Sequence, residues 1–245
     1  MRSGREFARS RGVTVKRGER VSRFGDGWLI ADRAGFKPCP WAFEVAEFSP
    51  AAQADRVLDL GTGTGALLVA LNQVYPSLGE CVGLELDPNT ADQAQRNLTL
   101  LGVDDFTVEV CDLRVASSTQ GFDLVVANPP FYPSGWGRVS EDSAKARATH
   151  ALYGDVNDFA EVAARSVKPD GNVVFVFDGG RVRDVLVAFS RARLVTHAIR
   201  FLEDDRGQYA RVLVLGGPTG DGVMVERRAY TDQIVAAAKD RPGQD

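Results

Sequence analysis

Residues 56–65 of this chain read Arg-Val-Leu-Asp-Leu-Gly-Thr-Gly-Thr-Gly, and the apolar run Ala-Leu-Leu-Val-Ala-Leu follows directly at 66–71. The first five residues are typical of a short buried strand, the glycines mark a tight turn, and the apolar run favours a helix. Glycine is needed where the backbone turns sharply or where a ligand approaches without room for a Cβ atom. The segment therefore predicts an open α/β sheet that binds a ligand at the carboxyl end of this strand.

Strand-like and helix-like segments alternate along the rest of the chain. We predict strands at 56–60, 81–86, 106–111, 122–127, 172–178, 194–202 and 209–215, and helices at 65–74, 90–101, 155–167 and 180–191. The charged stretch 168–171 (Lys-Pro-Asp-Gly) is expected to end the third helix. Residues 203–207 are too short for a crossover helix, so the last two strands should form an antiparallel hairpin. The predicted fold is α/β, with a mostly parallel, seven-stranded Rossmann-like sheet and a C-terminal antiparallel hairpin.

The composition is that of an ordinary globular domain, with 245 residues of which 44% are hydrophobic. No apolar run approaches the roughly 18 residues of a membrane helix, and the N-terminus lacks a secretion signal, so we expect a cytoplasmic protein without a membrane partner. Cys39, Cys81 and Cys111 lack metal-ligand spacing and only two histidines are present, so we expect reduced thiols and no metal.

The net charge of −4 is unevenly distributed. Residues 1–23 carry eight basic and two acidic groups, a net +6, which leaves −10 for the remainder. We therefore divide the chain into a basic N-terminal arm, 1–23, and a main domain, 24–245. The arm either contacts a polyanion such as RNA or is a solvated tail, and we expect 1–23 and 237–245 to be loose ends.

The glycine loop alone does not identify its ligand, because Gly61-x-Gly63-x-x-Ala66 also satisfies the dinucleotide fingerprint. The acidic residues around it are more selective. Glu85, at the end of the second strand, could accept both ribose hydroxyls of an adenosine, and Asp112, after the third, could meet the adenine amino group. Asp59 would repel a pyrophosphate but suits an ammonium and a sulfonium, which favours S-adenosylmethionine over NAD. The predicted cofactor residues are Asp59, Gly61, Thr62, Gly63, Gly65, Glu85, Leu86, Asp112, Leu113 and Asn128.

A second motif, Asn-Pro-Pro-Phe at 128–131, follows the fourth strand. Consecutive prolines fix φ and remove two backbone donors, which leaves their carbonyls and the Asn128 amide oxygen as acceptors. Two acceptors can hold both hydrogens of an –NH2 group and direct its lone pair at a methyl group, while Phe131 stacks on the flat acceptor. We expect Asn128, Pro129, Pro130 and Phe131 to be the catalytic residues for methyl transfer to a planar nitrogen.

This motif resembles the (Asn/Asp/Ser)-Pro-Pro-(Tyr/Phe/Trp) signature of the class I amino methyltransferases. Within that group the chain is most similar to bacterial enzymes that methylate adenine N6 beside the anticodon of a valine tRNA. The resemblance covers roughly 24–235 and rests on the segments 59–65, 83–88, 128–131, 145–150 and 229–231. It implies a Rossmann-like methyltransferase sheet, S-adenosylmethionine as cofactor and RNA, above all tRNA, as substrate. Residues 24–43 depart from the Gly-Thr-Asp-Gly-like segment of that family, which leaves the substrate open.

Further substrate contacts have two interpretations each. Tyr132 and Trp136 could stack on flanking bases, or serve in core packing or lid closure, and Arg147 could meet a phosphate or be a surface arginine. His150 could line the pocket, although a structural histidine is favoured. Methylation of a protein glutamine amide, or of a small molecule or peptide, stays an alternative to RNA. DNA methylation and a cofactor-binding module without catalysis are less favoured.

Overall fold

The computed structural model describes residues 3–33, 38–116, 120–130 and 154–229. Its strands, in chain order, are β1 (Glu19–Phe24), β2 (Gly27–Asp32), β3 (Arg56–Leu60), β4 (Glu80–Glu85), β5 (Phe106–Val110), β6 (Phe122–Ala127), β7 (Val167–Asp178), β8 (Val195–Glu203), β9 (Tyr209–Gly217) and β10 (Met224–Ala229). Its helices are α1 (Gly4–Ser10), α2 (Ala42–Phe48), α3 (Ala66–Val74), α4 (Pro88–Leu101), α5 (Val156–Ser166) and α6 (Val182–Arg191), with a 3₁₀ turn at Gly179–Arg181. No helix in these described ranges combines the length and the apolar character needed to cross a bilayer.

The main sheet has the order β10-β8-β9-β7-β6-β3-β4-β5. Strands β7, β6, β3, β4 and β5 are mutually parallel, and β9 is antiparallel to both β7 and β8. The predicted α/β class and the antiparallel hairpin are therefore confirmed. The predicted number of seven strands is wrong by one, because β10 pairs with the outer side of β8 in parallel. Its exposed sequence, Met-Val-Glu-Arg-Arg-Ala, lacks the apolar alternation by which a half-buried strand is found.

Helices cover both faces of the sheet. The first core cluster includes Val45 of α2, Leu68 of α3 and Leu98 of α4, and the second includes Phe159 of α5 and Phe189 of α6. Strands buried on both faces have nearly continuous apolar sequences, which is why β3 and β6 match their predicted bounds to the residue.

Helix ends follow local sequence signals. Asp87 caps α4 by accepting a hydrogen bond from the Thr90 backbone N–H at 2.7 Å, and Gly102 ends the helix in the left-handed region at φ 73°. Asp155 and Asp158 form a capping box at the start of α5. Helix α5 ends at Ser166, but the predicted stop at 168–171 is itself part of β7, which shifts register against β6 there.

The N-terminal segment is folded, so the expectation of a loose end at 3–23 is wrong. Helix α1 is capped by Ser3, and β1 forms a two-stranded antiparallel sheet with β2. Glu19 is only 3% exposed and pairs with Arg96 of α4 at 2.5 Å, so one acidic residue within the basic stretch anchors it to the domain. The net positive charge of residues 1–23 therefore does not reveal that a single acidic residue holds the segment in place. Residues 237–245 lie outside the described ranges, and the division of the chain at residues 23 and 24 stays a prediction.

Candidate functional site

The carboxyl ends of the central strands meet at one edge of the sheet. Leu60 of β3 is in register with Ala127 of β6 and with Leu84 of β4. The residues that follow these three are Gly61, Asn128 and Glu85, on strands about 4.8 Å apart. Predicted residues separated by many positions in the sequence are therefore neighbours in the fold.

The glycines of the loop after β3 have left-handed φ angles, 66° at Gly61, 58° at Gly63 and 80° at Gly65, a region that side chains strongly disfavour. Gly61 packs against the Phe159 ring, since a Cβ atom there would lie 3.2 Å from it, and Gly65 packs against Ala94. Gly63 is different, because the nearest atom to an added Cβ is 4.0 Å away. The backbone at Gly63 thus leaves open space for a ligand.

Asp59 is fully buried at the end of β3. Its Oδ2 accepts a hydrogen bond from the Thr62 hydroxyl at 2.7 Å, and its Oδ1 has no hydrogen-bond partner among the described residues. The pKa of the Asp59 carboxyl is raised from 3.8 to about 8. Burial is the main cause, the Thr62 hydrogen bond opposes it, and the charge of Glu85 contributes a smaller rise. A buried carboxylate oxygen without a partner is costly, and a cationic ligand group would satisfy it.

Glu85, 5% exposed, connects the glycine loop to the turn after β4. Its Oε2 accepts from the Gly63 N–H and its Oε1 from the Asp87 N–H, both at 2.9 Å. Burial raises the pKa of Glu85, and the backbone donors oppose that rise. Each carboxylate oxygen keeps a lone pair, which suits the predicted role of accepting two ribose hydroxyls.

A small open cleft lies beside these residues, at the ends of β4 and β5. It is lined by Gly61, Leu84, Leu86, Cys111, Asp112, Leu113 and Phe159. Four predicted residues therefore lie together, in an apolar slot with one carboxylate that suits a flat ring carrying an amino group. They are Gly61, Leu86, Asp112 and Leu113. Hydrogen bonds from Arg114, the shortest at 2.6 Å, lower the pKa of Asp112 and keep it ionised.

The cleft also contains residues that the sequence did not indicate. Phe159 comes from α5, far along the chain, and nothing in its local sequence relates it to Gly61. Leu84 is an ordinary apolar strand residue, and Cys111 was assigned only as a reduced thiol. Their contribution to the cleft is created by the fold.

Asn128 directly follows β6, and its Oδ1 is a buried acceptor without a hydrogen-bond partner among the described residues. Pro129 and Pro130 come next and offer carbonyls but no N–H donors. The remaining predicted residues of this part of the site, Phe131, Tyr132, Trp136, Arg147 and His150, lie outside the described residues.

Asn97 of α4 holds the loop from behind. This fully buried side chain donates from Nδ2 to the carbonyls of Thr64 and Ile30, each at 2.9 Å, and accepts at Oδ1 from the Ile30 N–H at 2.7 Å. It thereby joins the β1–β2 hairpin to the glycine loop. This contact could not be predicted from the sequence, because an asparagine within a helix is usually solvated.

Unsatisfied acceptors are a shared feature of the site. Besides Asp59 Oδ1 and Asn128 Oδ1, the hydroxyl of Thr64 is buried without a partner in the described part of the chain. The set is made of oxygens, and no group of three or more metal-ligating side chains occurs within the described ranges. The geometry suits an adenosine bearing a cationic chain, next to an amine presented at Asn128.

Three comparisons agree with this geometry. The family model described as "Methyltransferase domain" matches residues 52–177. A tRNA1(Val) (adenine(37)-N6)-methyltransferase of Aeromonas salmonicida is 30% identical over 163 residues, 63% of this chain and 65% of that protein. A release factor glutamine methyltransferase of Bradyrhizobium diazoefficiens is 30% identical over 163 residues, 63% of this chain and 54% of that protein.

The chain thus spans between half and two thirds of the length of these curated relatives. Among solved structures, a protein of Listeria monocytogenes described as a class I S-adenosylmethionine-dependent methyltransferase superposes with a TM-score of 0.59 at 18% identity, covering 84% of this chain and 72% of that one. This likeness supports the fold.

Proposed function

The chain belongs to the S-adenosylmethionine-dependent methyltransferases. We propose that it methylates an exocyclic amine, namely N6 of an adenine in RNA, and above all in tRNA. The observation that carries the proposal is the buried Asn128 Oδ1, which lies at the strand end next to the glycine loop and has no hydrogen-bond partner among the described residues. An acceptor in that place is satisfied by an N–H of the methyl acceptor.

Each residue at the sheet edge is assigned to one group of the cofactor. Asp59 faces the cationic methionyl end, Glu85 accepts the ribose hydroxyls, and the cleft between Leu86 and Phe159 takes the adenine ring. Gly63 allows the chain backbone to approach the ligand closely. When bound, S-adenosylmethionine supplies a methyl group activated by the sulfonium.

The work left to the protein is positioning, because an activated methyl group needs an amine lone pair held in line with it. Asn128 Oδ1 and the carbonyl of Pro129 accept the two N–H hydrogens of the acceptor amine, which directs its lone pair away from the acceptors. Planar amines of nucleobases and amides fit this arrangement. Phe131 completes it in the proposal by stacking on the acceptor.

RNA as the acceptor is supported by the tRNA-methylating relative and by the basic segment 1–23. Arg9 and Arg17 are exposed and have no ion-pair partner in the described ranges. Arg17 adjoins Lys16, whose ammonium pairs at 2.8 Å with Asp92 in the N-terminal half of α4. Helix α4 begins at the same sheet edge as the cofactor site, which supports a contact between this basic segment and the substrate.

The test of the RNA proposal is transfer of labelled methyl groups to separate pools of tRNA, ribosomal RNA, protein and small metabolites. We expect label in the tRNA pool, lost steeply as salt rises. Because β1 pairs with β2, deleting 1–23 would damage the fold, and the double substitution Arg9→Ala, Arg17→Ala is the better probe. It should raise the KM for RNA several-fold and leave cofactor affinity unchanged; an unchanged KM removes the segment from the proposal.

A protein glutamine amide is the second candidate, since a relative at 30% identity is named for glutamine methylation. The amide –NH2 presents the same two hydrogens to Asn128. Label in the protein pool, with methylglutamine in its hydrolysate and none in RNA, would replace the first candidate by the second.

A further inference from the structure

A second cleft of about 530 Å³ opens on the side of β6 away from the cofactor loop, between α5 and α6. We name it the arginine cleft. Its lining includes Pro130, Phe177, Arg181, Arg183, Val187 and Arg191. Because Pro130 follows Asn128 by two positions, the cleft begins where the methyl acceptor must be presented.

One face of α6 forms a wall of the arginine cleft. Arg183, Val187 and Arg191 are spaced by four residues, so they lie along one side of the helix over about 12 Å. All three side chains are exposed, including the apolar Val187 at 37%. The helix therefore presents two cations with an apolar surface between them.

Acidic residues in the cleft do not neutralise these two cations. Asp184 pairs with Arg181 at 2.6 Å, and Arg181 also lies over the Phe177 ring. Asp155 caps α5, where its Oδ1 accepts from the N–H groups of Asn157 and Asp158.

Arg191 contacts only the neutral amide oxygen of Asn157, at 3.4 Å, and Arg183 has neither a hydrogen bond nor an ion pair among the described residues. Within the described part of the chain, two guanidinium groups thus lack counter-charges, although the sequence outside residues 1–23 carries a net −10. An excess of positive charge in such a body favours an anionic occupant.

We propose that the arginine cleft binds the sugar–phosphate backbone next to the target nucleotide, with Arg183 and Arg191 on two phosphate groups and Val187 against the intervening ribose or base. The inference rests on the proposed RNA function. Guanidinium groups match phosphate oxygens in geometry and charge. Two cations separated along a helix suit the repeated anions of one strand better than a single anion.

The test measures RNA binding and methyl transfer separately, using a fluorescently labelled tRNA and full-length protein. The double substitution Arg183→Ala, Arg191→Ala should weaken tRNA binding about tenfold at physiological salt and reduce the slope of log K against log salt by about 1.4 to 1.8. Affinity for S-adenosylmethionine should be unchanged. Arg193→Ala is the matched control, because Arg193 is an exposed arginine just beyond α6 that does not line the cleft.

The outcomes are distinguishable. If the wild-type protein methylates tRNA and the double variant keeps its affinity and salt slope, the cleft proposal is overturned and the RNA function stands. Equal losses in the Arg193→Ala control would also overturn it, since they would indicate a general charge effect. Wild-type protein that neither binds nor methylates RNA but methylates an acidic protein overturns both proposals.

Discussion

Cofactor binding should be linked to the loss of a proton from Asp59. The carboxyl is fully buried and its pKa is raised to about 8, so the ligand-free protein holds Asp59 protonated at pH 6 to 7. A cationic ligand needs the carboxylate, and the proton must leave on binding. The ionised fraction falls from about one half at pH 8 to about 1% at pH 6, so Kd should rise about 50-fold over that range. Well below pH 8 the rise approaches tenfold, about 1.4 kcal/mol, for each pH unit.

The assay is calorimetric titration with S-adenosylmethionine between pH 6 and 9, in buffers of different ionisation enthalpy that reveal proton release. Asp59→Asn is the control, because it should bind the cofactor weakly and with a Kd that does not depend on the protonation of residue 59. Any pH dependence left in this variant belongs to the cofactor itself. Thr62→Val removes the hydrogen bond that lowers the pKa of Asp59, so it should move the inflection to higher pH. A wild-type Kd that is constant from pH 6 to 8, or an Asp59→Asn variant whose Kd changes with pH as steeply as that of the wild type, would refute the reasoning.

Three further outcomes follow from the same contacts. Because the pKa of Asp59 in the folded protein lies above its ordinary 3.8, the free energy of unfolding should fall as pH rises towards 8. Asp59→Asn lacks this titration, so in urea unfolding its free energy of unfolding should increase relative to that of the wild type, by up to about 1.4 kcal/mol per pH unit between pH 5 and 8. Asn128→Ala should lower kcat about 100-fold with little change in cofactor Kd, measured by single-turnover kinetics and calorimetry; a raised Kd with an unchanged kcat would place Asn128 in cofactor binding only. Asn97→Ala leaves three backbone groups unsatisfied and should cost roughly 2–4 kcal/mol, with faster hydrogen exchange at Thr64; Gln93→Ala, a buried neighbour on α4 that contacts Glu19 at 3.3 Å, should leave that exchange unchanged.

The parts of the fold that the sequence predicted are those with strong local signals. Strands β3 and β6 have continuous apolar sequences because both of their faces are buried. Helix α4 was predicted from Asp87 and Pro88, which cap it and occupy its first position. In these elements local preference and tertiary environment agree, so the residues alone were sufficient.

The missed elements depend on contacts across the chain. Strand β1 lies in a stretch that reads as a basic tail, and its anchor is the buried pair of Glu19 with Arg96, residues far apart in sequence. Strand β10 is exposed along most of its length and is defined by pairing with β8. Neither the Glu19–Arg96 ion pair nor the pairing of β10 with β8 produces a periodic pattern of apolar residues in the sequence.

The candidate site likewise combines residues with local sequence signals and residues brought in by contacts across the chain. The proximity of Asp59, Glu85 and Asn128 could be inferred from the sequence because each lies at or just beyond the carboxyl end of a predicted strand, and the sheet brings them to one edge. Phe159 and Asn97 reach the loop only through helix packing, which a single sequence does not specify.

The most direct measurement of the central claim is the identity of the methylated product. The protein should be incubated with tRNA and S-adenosylmethionine carrying a trideuterated methyl group, and the tRNA digested to nucleosides for mass spectrometry. The account predicts N6-methyladenosine carrying the label with wild-type protein and its loss with Asn128→Ala. Label on a ring nitrogen, on a ribose oxygen or on carbon, or N6-methyladenosine formed equally by the variant, would contradict it.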